Sequence, residues 1–316
     1  MKITRINVYQ LDMPLTEPYY LSGGRLKFEK LDSTFVEIHT DEGLVGWGEG
    51  CPWGHTYLPA HGRGIRAGLE ILAPALIGQD PRSLDHINRL MDVILPGHPY
   101  VKSPLDMACW DITGQASNMP LWQMMGGDAA TPVAVNSSIS TGTPDQMIAL
   151  IRRASQNGYR THSAKIGGSD TTADIARIEA ISAALPDHEN VTFDVNRAWT
   201  PGTAIQVLNS VGARDWVEQP CETLDQCAHV ARRVQNPIML DECMHTFGDH
   251  LDAWKIGACE GVKVKPNRVG GLTRAKQIRD LGISVGWQMH TEDLGGSALA
   301  DTAAIHLAAS TPEANR

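Results

Sequence analysis

Six positions in the second half of this 316-residue chain could do acid/base chemistry: Lys165, Asp194, Glu218, Asp241, Lys265 and His290. They follow one another at spacings of 29, 24, 23, 24 and 25 residues, about one strand-plus-helix unit each. Each closes a short run rich in β-branched residues: THSAK, VTFD, DWVE, PIMLD, GVKVK and ISVGWQMH. The period is structural, but a charge at every phase of it is not. Charges gathered at strand ends are costly to desolvate unless they are paired or bound to a metal. Asp194, Glu218 and Asp241 fall on three consecutive strands, where carboxylates would repel one another unless a cation lies between them. Oxygen-only ligation selects a hard ion, Mg²⁺ or Mn²⁺. Lys165 and Lys265 flank the acids, and a partly buried ammonium beside a cation gives up its proton more easily, so each is a candidate acid or base. Lys263 shares a side of the strand with Lys265; the later position, nearer the strand end, is the better candidate. The plain alternatives are helix caps for the acids and a salt bridge to a neighbouring acid for Lys165.

The elements that must position these groups form a repeat. From Thr131 onward seven β-type runs alternate with amphipathic helical patterns, beginning PVAVNSSIS then TPDQMIALIRRASQNG, and ending ISVGWQMH then GSALADTAAIHLAAS. Seven βα units in a row favour a closed parallel barrel, whose active site is built at the C-terminal strand ends. No GxGxxG follows the first strand, which disfavours dinucleotide binding. A barrel needs eight strands, so the eighth is expected to be missing. The first part reads differently. MKITRINVYQLDMPL and STFVEIHTDEGLVGWGEG alternate as antiparallel strands with a turn at Asp41 to Gly43, and three helical patterns follow. The expectation is an α/β protein: an α+β capping domain over residues 1–127 and a TIM-like (β/α)-barrel over residues 128–316, short by its eighth strand.

A hydrophobic fraction of 42% and a charged fraction of 20% belong to a globular chain with a sizeable core. The net charge of −9 argues against a nucleic-acid surface. No stretch approaches the roughly 18 apolar residues of a membrane span, and the N-terminus lacks a signal-peptide h-region. Six cysteines without a CxxC pair read as reduced, structural thiols of a cytoplasmic protein, Cys243 near the site among them. Symmetric assembly into a homo-oligomer is the expectation for an enzyme of this kind.

The constellation resembles the enolase superfamily, in particular its muconate-lactonizing branch. The matching pieces are Lys165 in SAKIGG, Asp194 and Asn196 in FDVNRAW, Glu218 in VEQP, Asp241 in LDEC and Lys265 in KVKPNRVGG. The resemblance spans the chain and implies an enolase-type modified barrel with its capping domain. It also implies Mg²⁺ on Asp194, Glu218 and Asp241, and Lys165 and Lys265 as acid/base groups, with Asn196 and Glu242 supporting the ligands. Two positions depart from the pattern. Ser163 stands where the branch often has lysine, and Lys265 occupies the place of the aspartate that pairs with a seventh-strand histidine in the mandelate-racemase branch. His290 is therefore read as a substrate-positioning or core group.

The capping loops EPYYLSGGR and CPWGHTYLPAHG bring Tyr20, Trp53 and Tyr57 as candidate covers for a ligand. Aromatic faces suit a cationic amine, and Glu292 and Asp293 could receive one too. Longer segments, LSGGRLKFEKLDSTFV, LPGHPYVKS, VKPNRVGGLT and WQMHTEDLGG among them, resemble the cis-3-hydroxy-L-proline dehydratase family. That resemblance implies α-proton abstraction from a small amino acid, enediolate stabilisation and loss of the 3-hydroxyl to give Δ1-pyrroline-2-carboxylate, a hydro-lyase step. The rivals are 2-epimerisation or racemisation of proline-type substrates or their betaines by the same residues, a Schiff-base aldolase, and an inactive truncated homologue.

Overall fold

The computed structural model describes residues 1–21, 24–128, 132–168, 170–212, 215–293 and 295–316. Ser22 and Gly23 of the first capping loop, and Thr131 where the barrel repeat was read to begin, lie outside the described residues. In chain order the elements are β1 (Ile3–Leu21), β2 (Leu26–Thr40), β3 (Val45–Gly50), α1 (Gly62–Leu76), α2 (Leu84–Ile94), α3 (Pro99–Ser117) and α4 (Leu121–Met124). The repeat then runs β4 (Asn136–Ile139), α5 (Pro144–Gln156), β5 (Thr161–Lys165), α6 (Thr171–Ala184), β6 (Asn190–Asp194) and α7 (Pro201–Ser210). It continues with β7 (Trp216–Glu218), α8 (Leu224–Ala231), β8 (Ile238–Leu240), α9 (Phe247–Lys255), β9 (Gly261–Val264) and the short α10 (Pro266–Val269). Last come α11 (Leu272–Val285), β10 (Gln288–Thr291), α12 (Ala298–Ala309) and a 3-10 turn at Glu313–Asn315.

Two sheets result among the described residues. One has the order β1-β2-β3, and the other seven strands in the order β10-β9-β8-β7-β6-β5-β4, which is the reverse of chain order. The ladders from β4 through β9 are parallel. That combination is the expected α/β repeat. The helices start where the sequence offers caps. Thr143, Thr223 and Thr246 each form a reciprocal capping box with the side chain three residues on, and Pro144 and Pro201 open their helices at positions that need no amide.

The chain divides into two compact units. The first comprises Met1–Thr16, Phe28–Pro132 and Val264–Arg316; the second comprises Glu17–Lys27 and Val133–Lys263. In the first unit α3 lies so close on β3 that a Cβ at Gly48 would come 1.9 Å from the Pro104 carbonyl oxygen, and one at Gly46 2.3 Å from that of Ala108. The GWGEG run is thus glycine-rich because backbone meets backbone there. In the second unit, Val191, Phe193, Val217, Ile238, Met239 and Leu240 make the buried strands.

Two of the differences from the sequence reading have a plain physical cause. ISV, read as the start of the last strand, is the final turn of α11, which ends only at Gly286 with φ 79°. The buried face of α11 continues through Ile278 and Gly282, and a left-handed glycine is the natural stop for such a helix. α3 begins at Pro99, four residues before the SPLDMACW pattern, because proline suits the first helical position.

Candidate active site

Parallel pairing places the charged residues of the second unit in register. Lys165 lies beside Asp194, and Asp194 beside Glu218, each the last residue of its strand. Asp241 follows the last residue of β8 directly. Asp194, Glu218, Asp241 and Glu242 are all 2% exposed or less, so the cost of gathering carboxylates there is not relieved by water.

Each acid is held differently. Asp194 takes an ion pair from the Lys165 amine, and hydrogen bonds from the Asn196 amide (2.9 Å) and the Asn196 side chain (3.0 Å). Asn196 and Arg197 both sit in the left-handed region, at φ 45° and 63°, which turns the chain sharply back over the strand end. The same Asn196 Nδ2 reaches Glu242 at 3.1 Å, so this residue braces β6 against β8. Glu218 pairs with the buried Lys263 at 3.1 Å. Burial first, and then the neighbouring Asp194 charge, push the Glu218 carboxyl well above the ordinary carboxylate range despite Lys263. Glu218 and Asp241 offer oxygens within 4.8 Å of each other. A buried, oxygen-only donor set in which one carboxyl resists ionisation fits a hard divalent cation, because added positive charge relieves that resistance.

The other predicted residues lie mostly in the first unit. Lys265 caps α10 and pairs with Glu292 at 2.7 Å. Asp293 accepts from Asn267 at 2.8 Å, and half-buried His290 is inside β10. Both Lys165 and Lys265 therefore stand in ion pairs with carboxylates. Trp53 packs edge-on against Phe28 with ring centroids 5.1 Å apart, and Tyr57 is buried. Tyr20, at the end of β1 in the second unit, is exposed. A cavity of about 440 Å³ in the first unit is lined by Trp47, Met107, Leu272, Leu299 and His306 among others; none of the predicted site residues lines it.

Several further buried charged residues lie outside the predicted set. Lys263, the poorer candidate beside Lys265 in the sequence, is the partner of Glu218. Glu49, fully buried, accepts from Ser33 Oγ (2.5 Å) and from Ser297 Oγ (2.7 Å) and its amide, which anchors the segment after β10 that carries Glu292 and Asp293. Asp106, likewise buried, accepts from the Thr273 amide (3.0 Å) and hydroxyl (2.6 Å) and so fixes the start of α11. Burial pushes its carboxyl up, against the pull of those Thr273 bonds. Charged residues in otherwise apolar runs, GWGEG and LDMACW, were the available signal.

The chain matches known proteins along nearly its whole length. Residues 5–126 match the mandelate racemase/muconate lactonizing enzyme N-terminal domain, and residues 146–316 match the enolase C-terminal domain-like family. The cis-3-hydroxy-L-proline dehydratase of Roseibium aggregatum is 42% identical over 313 residues, which is 99% of this chain and 85% of that protein. The N-succinyl-L-Arg/Lys racemase of Bacillus cereus is 30% identical over 98% of this chain and 84% of its own length. A crystal structure of an enolase-superfamily member from Roseovarius nubinhibens ISM, complexed with magnesium, superposes with a TM-score of 0.96 at 74% identity over 100% of this chain and 85% of that one. Its capping domain and modified barrel are the fold seen here. The chain belongs to the mandelate racemase/muconate lactonizing enzyme family of the enolase superfamily.

Proposed function

We propose that the protein is a Mg²⁺-dependent dehydratase that converts cis-3-hydroxy-L-proline to Δ1-pyrroline-2-carboxylate. The observation that carries this reading is the row of buried acids at the ends of β6, β7 and β8, with Lys165 before it and Lys265 after it along the chain. The substrate is supported by the 42% identical dehydratase. Asp194, Glu218 and Asp241 would hold the ion. When bound, Mg²⁺ supplies the positive charge that makes the proton α to a carboxylate acidic; Mn²⁺ has the same ligand preference.

The chain's own residues do the rest. In the cis isomer the hydroxyl and the carboxylate share a ring face, so the α-hydrogen lies on the other. One of Lys165 and Lys265 takes that α-proton. The other, as an ammonium, gives a proton to the departing hydroxyl, so the C3–O bond breaks, water leaves and a C2–C3 double bond forms. The enamine then tautomerises to the cyclic imine. A lysine paired with a carboxylate keeps its proton, so the ion pairs suit the acid role, and the base must first leave its partner. Asn196 and Glu242 hold the ligand loops, and His290, Glu292, Asp293, Tyr20, Trp53 and Tyr57 are the proposed substrate-side residues. The enzyme is proposed to work in the cytoplasm as a homo-oligomer; among the described residues no helix is long and apolar enough to cross a membrane.

A second reading, 2-epimerisation of a proline-type substrate, is supported by the racemase relative. It needs the same two lysines without elimination. Incubation with cis-3-hydroxy-L-proline and Mg²⁺, followed by NMR, separates the two: the cyclic imine supports the dehydratase, and a retained hydroxyl with inverted C2 supports the epimerase. Recovery of unchanged substrate refutes the dehydratase and epimerisation of this substrate alike.

A further inference from the structure

Gln219 stands between Glu218 and Pro220 in the VEQP run and is uncharged, so nothing in its chemistry marks it as a ligand. It is 0% exposed, and its φ of 37° lies in the left-handed region that non-glycine residues rarely adopt. A buried residue held in that conformation needs surroundings that fix it there. The surroundings are four sets of hydrogen bonds, one for each polar group it has. Its amide donates to the Met239 carbonyl at 2.9 Å, and its carbonyl accepts from the Arg197 amide at 2.9 Å. Its side-chain oxygen accepts from the Asp241 amide at 2.8 Å and the Cys243 amide at 3.4 Å. Its side-chain nitrogen donates to the Cys221 carbonyl at 2.9 Å and to Cys227 Sγ at 3.6 Å.

These partners belong to the turn after β6, to β8 and the turn after it, to the start of the β7–α8 connection and to α8 itself. The three strand ends concerned are those that carry Asp194, Glu218 and Asp241. β7 and β8 pair through Val217–Ile238 and Glu218–Met239, and the β8–β9 ladder ends at Leu240–Val262, so both of these ladders stop short of Asp241. The Gln219 side chain takes over at that point, its oxygen on the Asp241 amide and its nitrogen on the Cys221 carbonyl.

We propose that Gln219 is the positioning residue of the metal site: it sets the separation of the three carboxylates and thereby the affinity for the divalent cation. The inference rests on the reading of Asp194, Glu218 and Asp241 as ligands. Residues that orient metal ligands typically cost about 10- to 100-fold in affinity when they are removed. Gln219→Met keeps the length of the side chain and removes its hydrogen bonds; Gln219→Asn keeps the amide but withdraws it by one methylene.

The test is titration of the full-length protein with Mg²⁺ alone by calorimetry, with hydrogen exchange followed at the Asp241 and Cys243 amides. Gln219→Met is expected to bind Mg²⁺ about 10-fold more weakly or worse. It should lose protection at those two amides and recover turnover at high Mg²⁺. A role confined to stability would lower the melting temperature and leave the Mg²⁺ affinity alone. Folded Gln219→Met that binds Mg²⁺ within two-fold of wild type overturns the inference, and if that variant does not fold, the same criterion applies to Gln219→Asn. Wild-type protein that binds no Mg²⁺ overturns the metal reading itself, a result distinct from an unchanged variant.

Discussion

Replacing Lys263 with methionine isolates the charge balance of the site, because the apolar stem stays and only the ammonium goes. Lys263 and Glu218 are 1% and 2% exposed in their side chains and 3.1 Å apart. At that separation, and with an effective dielectric constant of about 20, their attraction is about 5 kcal/mol. Breaking a buried pair from one side typically costs about 3–5 kcal/mol, since the remaining charge stays buried. Here the loss falls toward about 3 kcal/mol. Burial and Asp194 already hold the Glu218 carboxyl well above its ordinary range, so it can take up a proton instead of staying charged. For 316 residues the entropy of unfolding makes 1 kcal/mol worth about 1.5 °C, so the melting temperature should drop by roughly 5 °C. Thermal unfolding followed by circular dichroism, in EDTA and then in saturating Mg²⁺, reads this directly. The gap between wild type and Lys263→Met should narrow with Mg²⁺, which supplies the missing positive charge. A variant that melts within about 1 °C of wild type in EDTA would show that Glu218 does not depend on Lys263, and the electrostatic reasoning would be wrong.

Three other outcomes follow from the same geometry. Lys165→Ala and Lys265→Ala should each lower kcat for dehydration by about 10²- to 10⁴-fold. Exchange of the α-hydrogen in D₂O should persist in the variant lacking the acid and vanish in the one lacking the base; full dehydration by both variants would remove the lysines from the mechanism. Asp241→Asn should abolish the Mg²⁺-induced stabilisation expected of wild type, about 2.7 kcal/mol at a hundredfold excess over Kd, as read by a thermal shift series. Asp92 carries a pH prediction. Its carboxylate joins Lys102 (2.6 Å) and Arg274 (2.5 Å), and although burial pushes its pKa up, those two bonds outweigh it and hold the group below its ordinary value. An acid with a lowered folded pKa stabilises above its unfolded pKa and loses that contribution as the pH falls through the folded one. Asp92→Asn should therefore cost about 1–2 kcal/mol at pH 7, discounted because Asp92 is half-exposed, and the gap should close below about pH 4; a gap independent of pH would contradict it.

The strand ends were legible because the βα period is written in the sequence and a charge at every phase of it is conspicuous. Lys165, Asp194, Glu218, Asp241 and Lys265 all stand at strand ends or one residue beyond, as their spacing required. What surrounds them was not legible. Lys263 and Lys265 alternate on one strand, and only the fold decides that the first meets Glu218 while the second meets Glu292. Gln219 carries no charge to betray it, and its role depends on a left-handed turn that no local pattern specifies. Glu49 and Asp106 act over some 250 and 170 residues of chain, on the amides of Ser297 and Thr273, and such partners follow from topology alone. The misplaced ISV segment has a similar origin, since three β-branched or small residues before a glycine look alike whether they begin a strand or finish a helix.

The central claim is that this site removes the proton α to the carboxylate of cis-3-hydroxy-L-proline with the help of a divalent cation. Proton NMR of that substrate in D₂O, with wild-type protein in Mg²⁺ and in EDTA, measures it most directly. The account predicts that in Mg²⁺ the C2 hydrogen signal disappears as the cyclic imine accumulates, and that in EDTA the substrate stays unchanged. A C2 hydrogen that persists in Mg²⁺, or imine that forms equally well in EDTA, would contradict it.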